Sequence, residues 1–142
     1  MADKVTVEWK GNMLFESDNP REGEHKVMMD ASPDNGGHNE GLGPKAMMLS
    51  SLAGCSGLDV VSVLKKMKVD LDDFKMEVQG TLTDEHPRFY HSVTVDYHFY
   101  GTDLNQSKIN KAVDLSVEKY CGVMEMFRQF AKVETAIHLH NK

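Results

Sequence analysis

The sequence predicts an α+β fold in which antiparallel β-sheets pack on one long, buried central helix. Three observations carry that prediction. Residues 43–68, GPKAMMLSSLAGCSGLDVVSVLKKMK, hold a single formal charge, Asp59, between Ala46 and Leu64. Their apolar side chains spread round most of a helix rather than down one stripe, so the helix must be covered on nearly every side. Segments before and after it alternate apolar and polar residues with the period of two that marks strands, and residues 107–120 return to a helical period. The resulting order is β-β-β-α-β-β-α-(α)-β, read as one domain over residues 1–142.

Taken in order, residues 5–9 (VTVEW) alternate as a strand, and Lys10-Gly11-Asn12 turns the chain into a second strand at 13–16. Residues 17–24 (SDNPREGE) read as loop and 25–30 (HKVMMD) as a third strand. Residues 31–43, ASPDNGGHNEGLG, are too rich in turn residues for a core segment, and a connection of this length often carries side chains over a site. The long helix then opens on Pro44, where a missing N–H costs nothing, and closes on Lys65, Lys66 and Lys68, which suit its negative end. Its length is at the margin for a membrane span, roughly 17–25 residues, but Asp59 and four serines make it a poor one.

Residues 74–83 and 89–100 form a hairpin across DEHPR, with Gly80 as the expected bulge. In 107–120, Ile109, Ala112, Val113, Leu115 and Val117 face inward. Cys121-Gly122 interrupts that helix, 123–130 is a short further helix, and 132–140 is a last strand. The first helix has too little sheet of its own in this chain to bury it all round. A homodimer is therefore expected.

Composition narrows the class of function. A net charge of −6 and a pI near 5.6, with no basic run, argue against a nucleic-acid partner. The first ten residues, MADKVTVEWK, hold no apolar run of a secretory signal, and two cysteines are too few for a disulfide scaffold. The expectation is a cytoplasmic protein without a membrane partner. GGHNEGLGPK is no phosphate loop, because Ala46 follows Lys45 where Ser or Thr is required.

The chemistry rests on Cys55 and Cys121. A buried cysteine is usually a small hydrophobe. Here Cys55 sits among Gly54, Ser56 and Gly57, which keep its neighbourhood open. Cys121 opens a helix, where free backbone N–H groups favour a thiolate. Asp59, one turn after Cys55, works against a thiolate unless a cation compensates.

The stretch GPKAMMLSSLAGCSGLDVVSVLKKMK resembles the central-helix signature of the OsmC/Ohr superfamily of osmotically inducible and organic-hydroperoxide-resistance proteins. LSVEKYCGV resembles its second-cysteine segment, and GGHNEGLGP and HPRFYHSVTVDYHFYG are similar to its loop and hairpin. The details are nearest to the YhfA-like branch. The resemblance implies an OsmC-like fold, an intertwined homodimer with two interfacial sites, and no metal or organic cofactor. It also implies that Cys55 is the peroxidatic thiolate, attacking the O–O bond of a small organic hydroperoxide to give a sulfenic acid. Cys121 would resolve it as a disulfide, which an external dithiol then reduces.

Active members of the family pair an arginine with a glutamate beside the reactive thiol. Here the glutamate position, ten residues before Cys55, is Lys45, about 15 Å along a straight helix. The arginine has one candidate, Arg21. That departure keeps an alternative open: a weak or inactive member of the fold that binds an apolar small molecule. His38 and Glu40 are candidates to overhang the site, Arg88 to form its rim, and Met48 to line it, although methionines on helix faces are more often core. His138 and His140 share a strand face and would begin a metal site, but no third ligand is evident, and His91 and His98 face opposite ways.

Overall fold

Alternation in the first residues builds a small antiparallel sheet. The structure, a computed structural model, describes residues 2–19 and 23–142 and separates into two compact units, 1–48 and 49–142. In the first unit β1 (Thr6–Trp9), β2 (Phe15–Asp18) and β3 (Lys26–Met29) lie in the order β1-β2-β3. The second strand begins two residues later than the sequence suggests. Lys10 donates its N–H to Leu14 at 2.8 Å and Leu14 donates to Gly11 at 3.0 Å, which draws Met13 and Leu14 into the turn. Gly11 takes φ +100° there, a conformation that favours glycine.

The turn-rich residues after β3 are knit rather than loose, and Asp30 is the knot. Only 5 % exposed, its carboxylate accepts N–H groups from Ala31 at 2.8 Å and from His38 and Glu40 at 3.1 Å each. The Glu40 N–H above all, with those of His38 and Ala31, holds this carboxyl below the usual carboxylate range despite the opposing cost of burial. A short 3₁₀ turn, Pro33–Asn35, lies inside the loop, and Leu42 pairs back onto β3.

Helix α1 (Pro44–Lys66) begins in the first unit and carries on through the second. The second unit adds β4 (Asp73–Leu82), β5 (Tyr90–Gly101), α2 (Gln106–Leu115), a π-helical turn (Ser116–Tyr120), α3 (Gly122–Arg128) and β6 (Lys132–Asn141). The element order agrees with the sequence, and the fold is α+β. Val93, Val95, Tyr97 and Phe99 of β5 point one way into the core with Leu52, Val60 and Leu64 of α1, Ile109, Ala112 and Val113 of α2, and Met124 and Phe127 of α3.

Several expectations need correcting. The sheet of the second unit is not wholly antiparallel: β4 pairs antiparallel with β5, but β6 pairs parallel with β5. Two helices intervene between β5 and β6, and a helical crossover returns the chain to the end where it started. The bulge falls at Thr81/Leu82 rather than at Gly80. Gly80 has another purpose, because the ring of Tyr90 lies where its Cβ would be. The reading that methionines on helix faces are core fails at Met126 of α3, which is 64 % exposed.

Within one chain α1 buries a single line of Leu52, Ser56, Val60 and Leu64, four residues apart, and leaves Leu58 76 % exposed. Among the described residues it is the one helix long and apolar enough to cross a membrane. Its buried line and the hydrogen bonds of Ser56 and Asp59 make it a core helix of this fold.

Candidate active site

Cys55 lies mid-way along α1 and Cys121 lies at the join between the π-helical turn and α3, both as free thiols. Folding brings these two together: the thiol of Cys55 neighbours that of Cys121 and interacts with it directly. Cys55 is half-buried, Cys121 only 4 % exposed. The π-helical turn is what delivers Cys121, since its N–H reaches back five residues to the Ser116 carbonyl at 2.9 Å.

Cys121 then caps α3, its Sγ accepting the Met124 N–H at 3.3 Å. That donor is the thiolate-favouring group expected of a helix start, but it is outweighed. Burial pushes the Cys121 thiol up to about 11, and the adjacent Cys55 thiol and the Asp59 carboxylate add to the effect. Cys121 is therefore a neutral thiol at physiological pH.

Beside the pair runs a buried polar network that sequence reasoning missed. Ser56 Oγ lies 2.6 Å from Tyr97 Oη and 2.7 Å from Ser116 Oγ, and Ser116 Oγ donates to Asp59 Oδ2 at 3.1 Å. Ser56, Tyr97 and Ser116 are fully buried. Burial raises the Tyr97 phenol, with Cys121 and Asp59 adding to it, and the bond to Ser56 works the other way. Two serines on otherwise apolar faces were the only signal in the sequence. Asp59 also edges an open cleft of about 500 Å³, lined with it by Ser62, Val63, Lys66, Met67, Leu115 and Tyr120.

The glycines around Cys55 divide. A Cβ on Gly54 would meet nothing within 4 Å, so that side is open. Gly57 instead permits close packing, since its Cβ would lie 3.2 Å from Met76 Sδ.

The remaining predicted residues are placed as follows. Arg21 falls outside the described residues. Lys45 is exposed in the first turn of α1, and Met48 is 46 % exposed. His38 and Glu40 hold Asp30 by their backbone and turn exposed side chains outward. Arg88 is exposed in the connection between β4 and β5 and is not part of the cleft lining.

The histidines are less scattered than expected. The parallel register sets His98 opposite His138, so a third histidine joins His138 and His140 on one sheet face. His98 Nδ1 lies 3.0 Å from His140 Nε2, His98 Nε2 lies 3.0 Å from Glu77 Oε1, and His138 Nε2 lies 2.8 Å from Asp96 Oδ1. The rings stack and bond one another and their carboxylates. Among the described residues no three such groups are arranged to hold a metal ion.

A family model described as OsmC-like protein matches residues 37–136, which include both cysteines. Protein YhfA of Escherichia coli K12 is 31% identical over 130 residues, 92% of either chain. The chain belongs to the OsmC-like family. In structure it is similar to a hypothetical protein from Aquifex aeolicus, with a TM-score of 0.85 and 24% identity over 100% of this chain and 98% of that one. It is also similar to an organic hydroperoxide resistance protein OsmC from Legionella pneumophila, with a TM-score of 0.70 and 18% identity over 97% of each. The OsmC-like fold is thus shared by this chain and by solved structures that it covers almost end to end.

Proposed function

We propose that this OsmC-like protein is a thiol-dependent peroxidase of small organic hydroperoxides. The carrying observation is the asymmetric cysteine pair: a half-buried Cys55 directly beside a buried, neutral Cys121. In this reading the Cys55 thiolate attacks the peroxide, the O–O bond breaks, and the alkoxide leaves to be protonated to the alcohol. Cys55 is left as a sulfenic acid. The Cys121 sulfur then attacks it, water leaves, and the resulting disulfide is reduced by an external dithiol of the cytoplasm. Arg21 and Lys45 are the cations assigned to the thiolate.

The protein works, in the same reading, as a single domain and as a homodimer. The support is the apolar surface that one chain leaves uncovered on α1, where Leu58 is 76 % and Val61 47 % exposed. A second function, binding of an apolar small molecule without peroxidase turnover, is favoured by one observation, Lys45 at the glutamate position.

Intact-mass spectrometry after brief exposure of the reduced protein to cumene hydroperoxide separates the two. Peroxidase chemistry predicts loss of two protons in the native chain, an oxygen adduct on Cys55 in Cys121→Ser, and neither in Cys55→Ser. Two thiols that stay reduced at modest peroxide excess would leave the binding function, which should survive Cys55→Ser.

A further inference from the structure

The polar network has a direction. Each hydroxyl has one proton to donate, and an ionised carboxylate only accepts. Ser116 Oγ meets two acceptors, Asp59 Oδ2 at 3.1 Å and the Ser56 carbonyl at 3.3 Å, and its proton goes to the nearer, carboxylate one. Ser56 then gives its own to Ser116 at 2.7 Å, and Tyr97 gives its own to Ser56 at 2.6 Å. The chain of donors ends on Asp59 and joins three elements, β5, α1 and the π-helical turn.

Each cysteine is one step from this chain. Cys55 is covalently next to Ser56. Cys121 donates its N–H to the carbonyl of Ser116 at 2.9 Å. Two hydroxyls have been placed at fully buried positions where alanine would pack without polar cost, and they tie together the two backbone segments that bear the thiols.

We propose that Ser116 and Asp59 are positioning residues for disulfide closure, clamping the π-helical turn to α1 so that the Cys121 sulfur meets the Cys55 sulfur. This rests on the reading of Cys55 and Cys121 as a redox pair. In closure the Cys121 sulfur donates its electron pair to the Cys55 sulfur and the S–O bond of the sulfenic acid breaks. The departing hydroxide takes the Cys121 proton and leaves as water. The ionisable groups around the clamp are Cys55 and Lys66 of α1, Tyr97 of β5, and Tyr120 and Cys121 at the end of the π-helical turn.

Closure can be timed without peroxide. Methyl methanethiosulfonate converts a Cys55 thiolate into a methyl disulfide and releases methanesulfinate. Attack by Cys121 on the Cys55 sulfur then expels methanethiolate and forms the internal disulfide. Mass spectrometry of quenched samples follows both steps between pH 6 and pH 10 in the full chain. Ser116→Ala should lower the ratio of closure to labelling by about tenfold or more, the scale of a misplaced reacting group. Ser116→Thr, which keeps the hydroxyl, should restore most of it. Asp59→Asn, which keeps shape but not charge, should move the pH profile of closure to lower pH because the Asp59 carboxylate raises the Cys121 thiol. Ratios are therefore compared on the plateau of each profile, where position alone tells.

Plateau ratios within about twofold of the parent in Ser116→Ala would overturn the clamp. Should Ser116→Ala fail to fold, Asp59→Ala, which removes the acceptor of the Ser116 hydroxyl, decides alone: a plateau ratio lowered about tenfold supports the clamp and one within about twofold of the parent overturns it. Failure of the peroxidase reading is distinguishable: closure from the methyl disulfide would then depend on Ser116 while hydroperoxide left both thiols reduced.

Discussion

Cys121 illustrates how far a single residue can be read. The sequence placed it at a helix start, which is correct, and expected the helix end to favour its thiolate. The Met124 N–H is there at 3.3 Å, yet one donor does not offset the loss of water around a thiol only 4 % exposed. Burial depends on what packs overhead, which a spacing of residues does not contain. The consequence is measurable. In the reduced protein, alkylation of Cys121 by iodoacetamide, followed by peptide mapping, should keep rising with pH to a midpoint near 11, where an ordinary cysteine has levelled off. A midpoint at 9 or below would mean that the thiol is not desolvated as described. Asp30 was equally hidden, because an aspartate after a strand has no mark that tells a loop-organising acceptor from a solvated one.

At the scale of elements, nearly every strand and helix was legible, because period and turn chemistry are local properties. The parallel pairing of β6 was not read, though the two helices before it were the clue. The π-helical turn also escaped, since five residues of wide helix have no distinct composition. Glycines mark where element geometry outranks propensity. Gly80 lies under Tyr90 and Gly57 lies against Met76, whereas Gly54 faces open space in one chain. Gly80→Ala should destabilise the protein by about 1–3 kcal/mol through overpacking. Gly54→Ala should instead stabilise it by about 0.5–1 kcal/mol, because alanine is the better helix former. Urea denaturation of both variants checks the contrast, and a destabilising Gly54→Ala would mean that the open side of Cys55 is filled by another chain.

For the whole molecule, the sequence demanded cover on all sides of α1 and one chain supplies it along one line. Leu58 decides what supplies the rest. In an isolated chain a residue 76 % exposed tolerates aspartate with little change. In the proposed homodimer the same substitution buries a charge. Sedimentation of Leu58→Asp should therefore give 16.0 kDa where the parent gives twice that mass. A parent that already sediments at 16.0 kDa would remove the dimer from the proposal. The site was legible in the same uneven way. The two cysteines stand out in the sequence as the only two in the chain, and the fold sets them side by side, whereas Ser56, Ser116 and Tyr97 come together through contacts between elements that no local pattern announces.

The wide turn before Cys121 has a consequence of phase. A helix is a screw, and each residue advances it by about 100° of rotation and 1.5 Å of travel. A π-helical turn is one residue inserted into that screw. The sulfur at position 121 faces position 55 because of that extra residue; without it, the same cysteine in the same sequence context would point roughly a quarter-turn away. The meeting of the two thiols is thus set by a count of residues as much as by a contact.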